Sequence, residues 1–245
     1  MVAPDRPLLS VIVRRAAGPA VLPQSLAALA ASDPPRACWE LIVVDDASND
    51  STAELAAAYA DLVVRLAGAP HGPAYARNRG VEVARGDVVA FIDADVVVHP
   101  DTLRRFAWQF ANDSNSVPSS GPMMPAPPSP GLVSQYRNLL HHYHHQENPG
   151  EAETFWAGCG AVRTTVFRDA GMFDEWHYRR PSIEDIELGH RIRRLDRRIL
   201  LAPRFRALTS STGPSPMLRT DLLDRGIPWM RLLLQGGQSL VSVLR

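Results

Sequence analysis

Short apolar, β-branched runs recur through the first 111 residues, each followed by a polar stretch with helical spacing. Leu8–Val13 is the first such run and predicts a buried strand. Ala16–Ala31 is alanine-rich with leucines at 22, 26 and 29, which predicts a helix that Pro34-Pro35 ends. Trp39–Val44 predicts a second strand, running into Asp45-Asp46. Ser51 and Glu54 have capping-box spacing and open a predicted helix to about Tyr59. A third strand is predicted over Leu62–Leu66, then a loop carrying Gly68, Pro70, Gly72 and Pro73. Ala74–Ala84 predicts a helix with Gly86 as its C-terminal stop. Val88–Ile92 predicts a fourth strand, and Pro100 sits at the first turn of a predicted helix Asp101–Ala111. This rhythm implies βαβ units, and therefore a mostly parallel sheet with right-handed crossovers.

The pattern then breaks. Asn112–Pro130 carries prolines at 118, 122, 125, 127, 128 and 130, and because proline cannot donate within a sheet it is read as an irregular loop. Val133–Gln146 predicts a helix bearing histidines at 141, 142, 144 and 145. Phe155–Val166 reads as strand or loop around Gly158 and Gly160. A helix over Ile183–Leu195 and a strand near Ile199–Ala202 complete this half. Ser210–Pro216 reads as a connector to a C-terminal helical segment.

The chemistry concentrates where the fourth strand ends, at Asp93-Ala94-Asp95. In an extended chain alternate side chains share a face, so these carboxylates are expected to point the same way, about 6.5–7 Å apart. Open α/β sheets bind ligands beyond the carboxyl ends of their strands. Two acids buried there are costly unless a hard divalent cation and its phosphates compensate them. Asp45-Asp46 ends the second strand and would face the same cleft. One reading gives Asp46 a nucleobase contact, Asp93 a ribose hydroxyl and Asp95 the metal; the other makes Asp45, Asp46 and Asp50 turn and helix caps. Asp185, three residues after Ser182, is either a helix cap or a general base, and both roles are compatible. His141 and His145 have a zinc-compatible i, i+4 spacing, but without a third partner they are read as lining a polar groove. Cys159 has no recognisable base and is not read as a nucleophile.

Composition narrows the field. The 245 residues suit one α/β domain, and a formal net charge of zero argues against a nucleic-acid partner. The two cysteines are too few for a stapled secreted scaffold, which implies a reducing, cytoplasmic setting. All 26 basic residues are arginine, so lysine-dependent chemistry (a P-loop clamp, a Schiff base) is excluded. Arginine remains suited to gripping diphosphates in a bidentate fashion. No signal pattern precedes Leu8, and no apolar run reaches about 18 residues. Ile227–Arg245 alternates apolar and polar residues and reads as a packing helix or frayed tail, with peripheral contact to a membrane's inner face as the alternative.

Six segments taken together resemble family 2 glycosyltransferases, spanning residues 8–204. They are Leu9-Ser10-Val11-Ile12-Val13, Val43–Thr52, Ala76-Arg77-Asn78-Arg79-Gly80, Phe91-Ile92-Asp93-Ala94-Asp95, Gly158–Arg163 and Glu184–Arg191. The resemblance implies a GT-A fold: a Rossmann-like sheet flanked by helices over residues 1–208, with a nucleotide-binding half at about 8–111 and an acceptor half at about 131–208. Residues 209–245 would form the connector and C-terminal segment. It implies inverting transfer of a sugar, hexosyl in type, from a nucleotide-diphosphate donor (UDP by family frequency) to a glycan or lipid-linked acceptor in envelope or polysaccharide synthesis. Asp93 and Asp95 would be a D-x-D pair holding Mg2+ or Mn2+, with Asp185 the catalytic base. Asp46, Arg77, Asn78 and Gly158 would border the donor, and Glu184 and Arg191 the acceptor side. Three departures stand out. Arg14-Arg15-Ala16-Ala17 replaces a usual proline-then-asparagine pattern, Ser116–Pro130 replaces a strand, and Ser210–Pro216 lacks a basic-aromatic closing motif. They motivate a second reading, a silent nucleotide-sugar-binding or scaffold domain. A phosphotransferase built on the D-x-D strand would carry its acids on the first strand, which this chain does not.

Overall fold

The computed structural model describes residues 8–15, 22–119, 150–201 and 207–209, with positions 227, 228, 230 and 232 in a C-terminal helical stretch. The β-branched runs form β1 (Leu9–Arg15), β2 (Trp39–Asp46), β3 (Leu62–Leu66) and β4 (Val88–Asp93). Continuing along the chain come β5 (Val96–Val98), β6 (Ser116–Ser119), β7 (Gly150–Ala152), β8 (Cys159–Arg163), β9 (Arg198–Leu201) and β10 (Ala207–Thr209). The helices of the described residues are α1 (Leu22–Ala30), α2 (Thr52–Ala57), α3 (Pro73–Val83), α4 (Thr102–Asn112), α5 (Thr164–Asp169) and α6 (Glu184–Arg194).

Eight strands form one sheet in the order β3-β2-β1-β4-β8-β6-β9-β7. The β3, β2, β1 and β4 strands are parallel, as the βαβ rhythm predicts, and β8 then runs antiparallel to β4. Because side chains alternate, β1 and its neighbours supply two cores. Leu9, Val11 and Val13 face the leucines of α1 and Leu103, Phe106 and Phe110 of α4. Ile12, Val44 and Phe91 face α3, α5 and α6 through Ala76, Phe167, Leu188 and Ile192. Helices on both faces explain why the central strands read as near-continuous apolar runs, with Ser10 and Glu40 the polar residues near their starts. After β3 the chain returns to the other side of β1, so β1 and β4 flank a topological switch point, where α/β sheets open a crevice.

Several expectations need correcting. Ser116–Ser119 is a strand, not a loop: β6 runs parallel to β9 with Pro118 opposite Leu200, and its pairing to β8 is confined to Ser119 opposite Gly160, past the proline. The capping box at Ser51 does not form. Ser51 makes no side-chain cap; Asp50 accepts the Thr52 N–H, and Glu54 pairs with Arg65. Helix α6 starts at Glu184 with Ile183 as its cap residue. Gly86 is not a left-handed stop, since α3 ends at Val83 with Ala84 extended. Its reason is closeness: a Cβ there would lie 2.6 Å from the Ser10 nitrogen. The 141–145 histidines and most of 209–245 lie outside the described residues.

Gly86 belongs to a buried polar knot at the amino end of the sheet. Glu40 accepts from Ser10 Oγ (2.6 Å), the Arg85 N–H (2.7 Å) and Arg85 Nε (2.8 Å), and Ser10 Oγ accepts the Gly86 N–H. Glu40→Ala leaves the buried Ser10 hydroxyl and the Arg85 N–H without their acceptor, while the exposed Arg85 guanidinium turns to water, and is expected to lower unfolding free energy by about 1–3 kcal/mol. A urea titration checks it; a loss under about 0.5 kcal/mol would show the knot to be dispensable.

Candidate active site

The carboxyl ends of β1 and β4, with the segment leading into α6, enclose a cavity of about 310 Å³. Arg14 and Arg15 reach it from β1, and Asp93 and Asp95 from the end of β4. Trp156, Glu184 and Asp185 supply the opposite wall. Strand geometry carries Asp93, but β4 stops there, and Ala94-Asp95 is a turn. The two acids therefore reach one hollow by a turn and not by strand alternation. Two elements remote in sequence, the β4 turn and the amino end of α6, thus present Asp95 and Asp185 to one space.

Arg77 joins these elements. It is 6% exposed, and its guanidinium donates to Asp93 Oδ1 at 2.7 Å and to Glu184 Oε1 at 3.1 Å. The other Glu184 oxygen accepts the Ser182 N–H at 2.9 Å. Burial works against the charge on Arg77, but Asp93, Glu184 and Asp185 more than reverse it and hold its pKa above the ordinary arginine value. The contact predicted for Arg77 is therefore also a strut between β4 and α6. Asp185 accepts N–H groups of Ile186 (Oδ1, 2.9 Å) and Ala157 (Oδ2, 3.3 Å), which orient its carboxyl toward the β8 approach.

Other expected residues sit elsewhere. Asp46 is fully buried and does not line the cavity. Its oxygens take the N–H groups of His71 (2.8 Å) and Gly72 (2.9 Å) with Arg14 Nη2 at 3.4 Å, so it organises the loop before α3. Asn78 is buried and spends its amide on Phe173 and Glu175. Arg191 pairs with Glu187 and the Ala170 carbonyl, away from the cavity. Gly158 acts through its carbonyl, which accepts the Asp93 N–H at 3.0 Å. A Cβ on it would collide with the Trp156 indole at 2.3 Å. Trp156 and Arg15 are lining residues that motif reading passed over; the signal for Arg15 was present as a departure, a pair of arginines at a strand end.

Burial, reinforced by the neighbouring Asp93 charge, pushes the Asp95 carboxyl up to about 6. Among the described residues no group of three or more His, Cys, Asp or Glu side chains is placed to enclose a metal. Asp93 and Asp95 instead offer two hard oxygen donors opening onto a cavity, with one Asp93 oxygen already engaged by Arg77. That set fits Mg2+ or Mn2+, which keep waters and draw further oxygens from a ligand's phosphates.

A switch-point crevice lined by acids and arginines on a β3-β2-β1-β4 sheet is the arrangement of a GT-A fold. The likeness to solved structures agrees. The mannosyltransferase PcManGT of Pyrobaculum calidifontis, solved with GDP-Man and Mn2+, superposes with a TM-score of 0.67 at 21% identity, covering 86% of this chain and 59% of that one. Residues 1-349 of Staphylococcus aureus TarS, solved with UDP-GlcNAc, give 0.64 at 21% identity over 86% and 60%. Residues 10–171 match glycosyl transferase family 2, and the chain belongs to that family. The succinoglycan biosynthesis protein ExoO of Rhizobium meliloti is 48% identical over 68 residues. That match spans 27% of this chain and 20% of ExoO.

Proposed function

We propose that the chain catalyses inverting transfer of a sugar from a nucleotide-diphosphate donor to a hydroxyl of a glycan or lipid-linked acceptor. The observation that carries this reading is the shared cavity of Asp95 and Asp185, spanned by the Arg77 strut. Asp185 takes the proton of the acceptor hydroxyl, whose oxygen bonds to the anomeric carbon. The bond from that carbon to the diphosphate oxygen breaks, and its electron pair leaves with the nucleoside diphosphate. Asp93 and Asp95 would hold Mg2+ or Mn2+, which when bound offsets the negative charge of the departing diphosphate. UDP as carrier is supported by the TarS complex with UDP-GlcNAc, and the GDP-Man complex of PcManGT supports the wider nucleotide class. A place in envelope or polysaccharide synthesis is supported by the name of ExoO. Work at the inner face of the membrane fits that role; among the described residues no helix is long and apolar enough to cross a membrane.

The test is Mn2+-dependent turnover of UDP-sugars by wild type and Asp95→Asn. Turnover abolished by the substitution and by EDTA is the expected result, and nucleotide binding without turnover across donors and acceptors would leave a silent binding domain. The pH dependence has a defined sign. The folded Asp95 pKa of about 6 lies above its ordinary 3.8, so protonation favours the folded state. That contribution is complete below 3.8 and is lost as pH rises through about 6. Metal requires the ionised form, so Mn2+ affinity is expected to plateau above about pH 6 and to fall about tenfold per unit below it. Calorimetric Mn2+ titrations between pH 5 and 8 check this, and a flat profile would remove Asp95 from the metal site.

A further inference from the structure

Arg15 is a buried cation with two side-chain donors left unused among the described residues. It is 6% exposed at the last position of β1, opposite Asp45 in the sheet register. Its Nε and Nη2 atoms are buried, and neither has a hydrogen-bond partner among the described residues. Burial pulls its pKa below the ordinary arginine value, with Asp50, Asp95 and Asp45 compensating in part. The two neighbouring arginines differ: Arg77 is bound to Asp93 and Glu184, and Arg14 reaches Asp46. Orphaned guanidinium donors are expensive in a protein interior, where a charged hydrogen bond left unmade costs more than a neutral one. Arg15 also lines the cavity, beside the Ala94-Asp95 turn. A guanidinium in the wall of such a hollow is suited to phosphate oxygens.

We propose that Arg15 anchors the donor's diphosphate directly, so that the cavity keeps part of its affinity for that group when no divalent ion is bound. This rests on the nucleotide-diphosphate reading above and gives the arginine pair at the end of β1 a role in the same site. One contact from β1 would complement whatever Asp93 and Asp95 bring to the other side of the diphosphate. Because the interaction is charge on charge, metal-free affinity should weaken as salt is raised.

The experiment is calorimetry of inorganic pyrophosphate in EDTA and of UDP with Mn2+, using the full chain as wild type, Arg15→Met and Arg15→Lys. The expected result is wild-type binding of pyrophosphate in EDTA, weakened about tenfold or more in Arg15→Met and by less in Arg15→Lys. Replacing an unsatisfied buried cation with an apolar side chain of similar length should leave the ligand-free melting temperature equal or higher. Unchanged pyrophosphate binding in Arg15→Met overturns the proposal. So does a wild type that binds UDP with Mn2+ but no pyrophosphate in EDTA, and in both cases the donor reading survives. A marked fall in ligand-free melting temperature, or failure of Arg15→Met to fold, also overturns it by making Arg15 structural. A wild type that binds neither pyrophosphate in EDTA nor UDP with Mn2+ sinks the donor reading and this inference together.

Discussion

Asp185→Asn is expected to cut sugar transfer by about 10²- to 10⁴-fold, the range lost with a general base. The substitution keeps the shape of the side chain but removes the basic oxygen. An asparagine carbonyl can still accept one of the two N–H groups, from Ile186 or Ala157, that the carboxylate takes now. Melting temperature and donor affinity should therefore stay near wild type while the catalytic constant collapses. Steady-state kinetics with a saturating donor would show it. A variant keeping more than about a tenth of wild-type turnover would move the proton-accepting role to another group.

Arg77→Met acts on both stability and chemistry. Removing the guanidinium leaves Glu184, whose side chain is 7% exposed, without its cation and releases Asp93 on the other side of the cavity. Breaking a buried pair from one partner is costlier than never having built it, here about 3 kcal/mol, with Asp93 contributing less because it is a third exposed. Urea denaturation measures that part. Turnover should fall as well, since the strut sets the spacing between the β4 turn and α6. The double substitution Arg77→Met/Glu184→Gln is expected to recover part of the stability and none of the turnover, because glutamine removes the stranded charge without rebuilding the strut. Full recovery of both would show that Arg77 does nothing beyond neutralising Glu184.

The sheet's parallel half was legible because its strands are buried on both faces, so Val11–Val13, Leu41–Val44 and Val88–Ile92 are unbroken apolar runs, with Ser10 and Glu40 the polar residues near the strand starts. The other half was legible only in part: β9 was expected near Ile199–Ala202 and β8 falls within the strand-or-loop reading of Phe155–Val166, but β6 and β7 were missed. Strand β7 is Gly-Glu-Ala, three residues with no apolar run, and β6 contains a proline that composition alone assigns to a loop. Such strands exist because neighbours supply the ladder, a tertiary effect that no local window contains. The acids of the site were readable for a similar reason: Asp93, Asp95, Glu184 and Asp185 break apolar or helical patterns where a break needs explaining. Asp46 shows the limit of that logic. Its pattern is as conspicuous, yet two backbone N–H groups and Arg14 take its oxygens, and which reading of a buried acid holds depends on a loop twenty-five residues away. Arg15 stands out in the sequence as a departure from the family pattern, whereas the lack of partners for its Nε and Nη2 among the described residues is a tertiary fact.

Strand β5 starts at Val96, immediately after Asp95, and its partner in the two-stranded sheet is β10, Ala207–Thr209. The loop bearing Asp95 is thus clamped by a piece of chain made more than a hundred residues later. During synthesis the amino-terminal sheet can assemble long before that clamp exists, and the crevice reaches its final shape last. Sequence-distant closures of this kind are slow, so the half-built protein would pass through an interval with its strands in place and its reaction centre still unlatched.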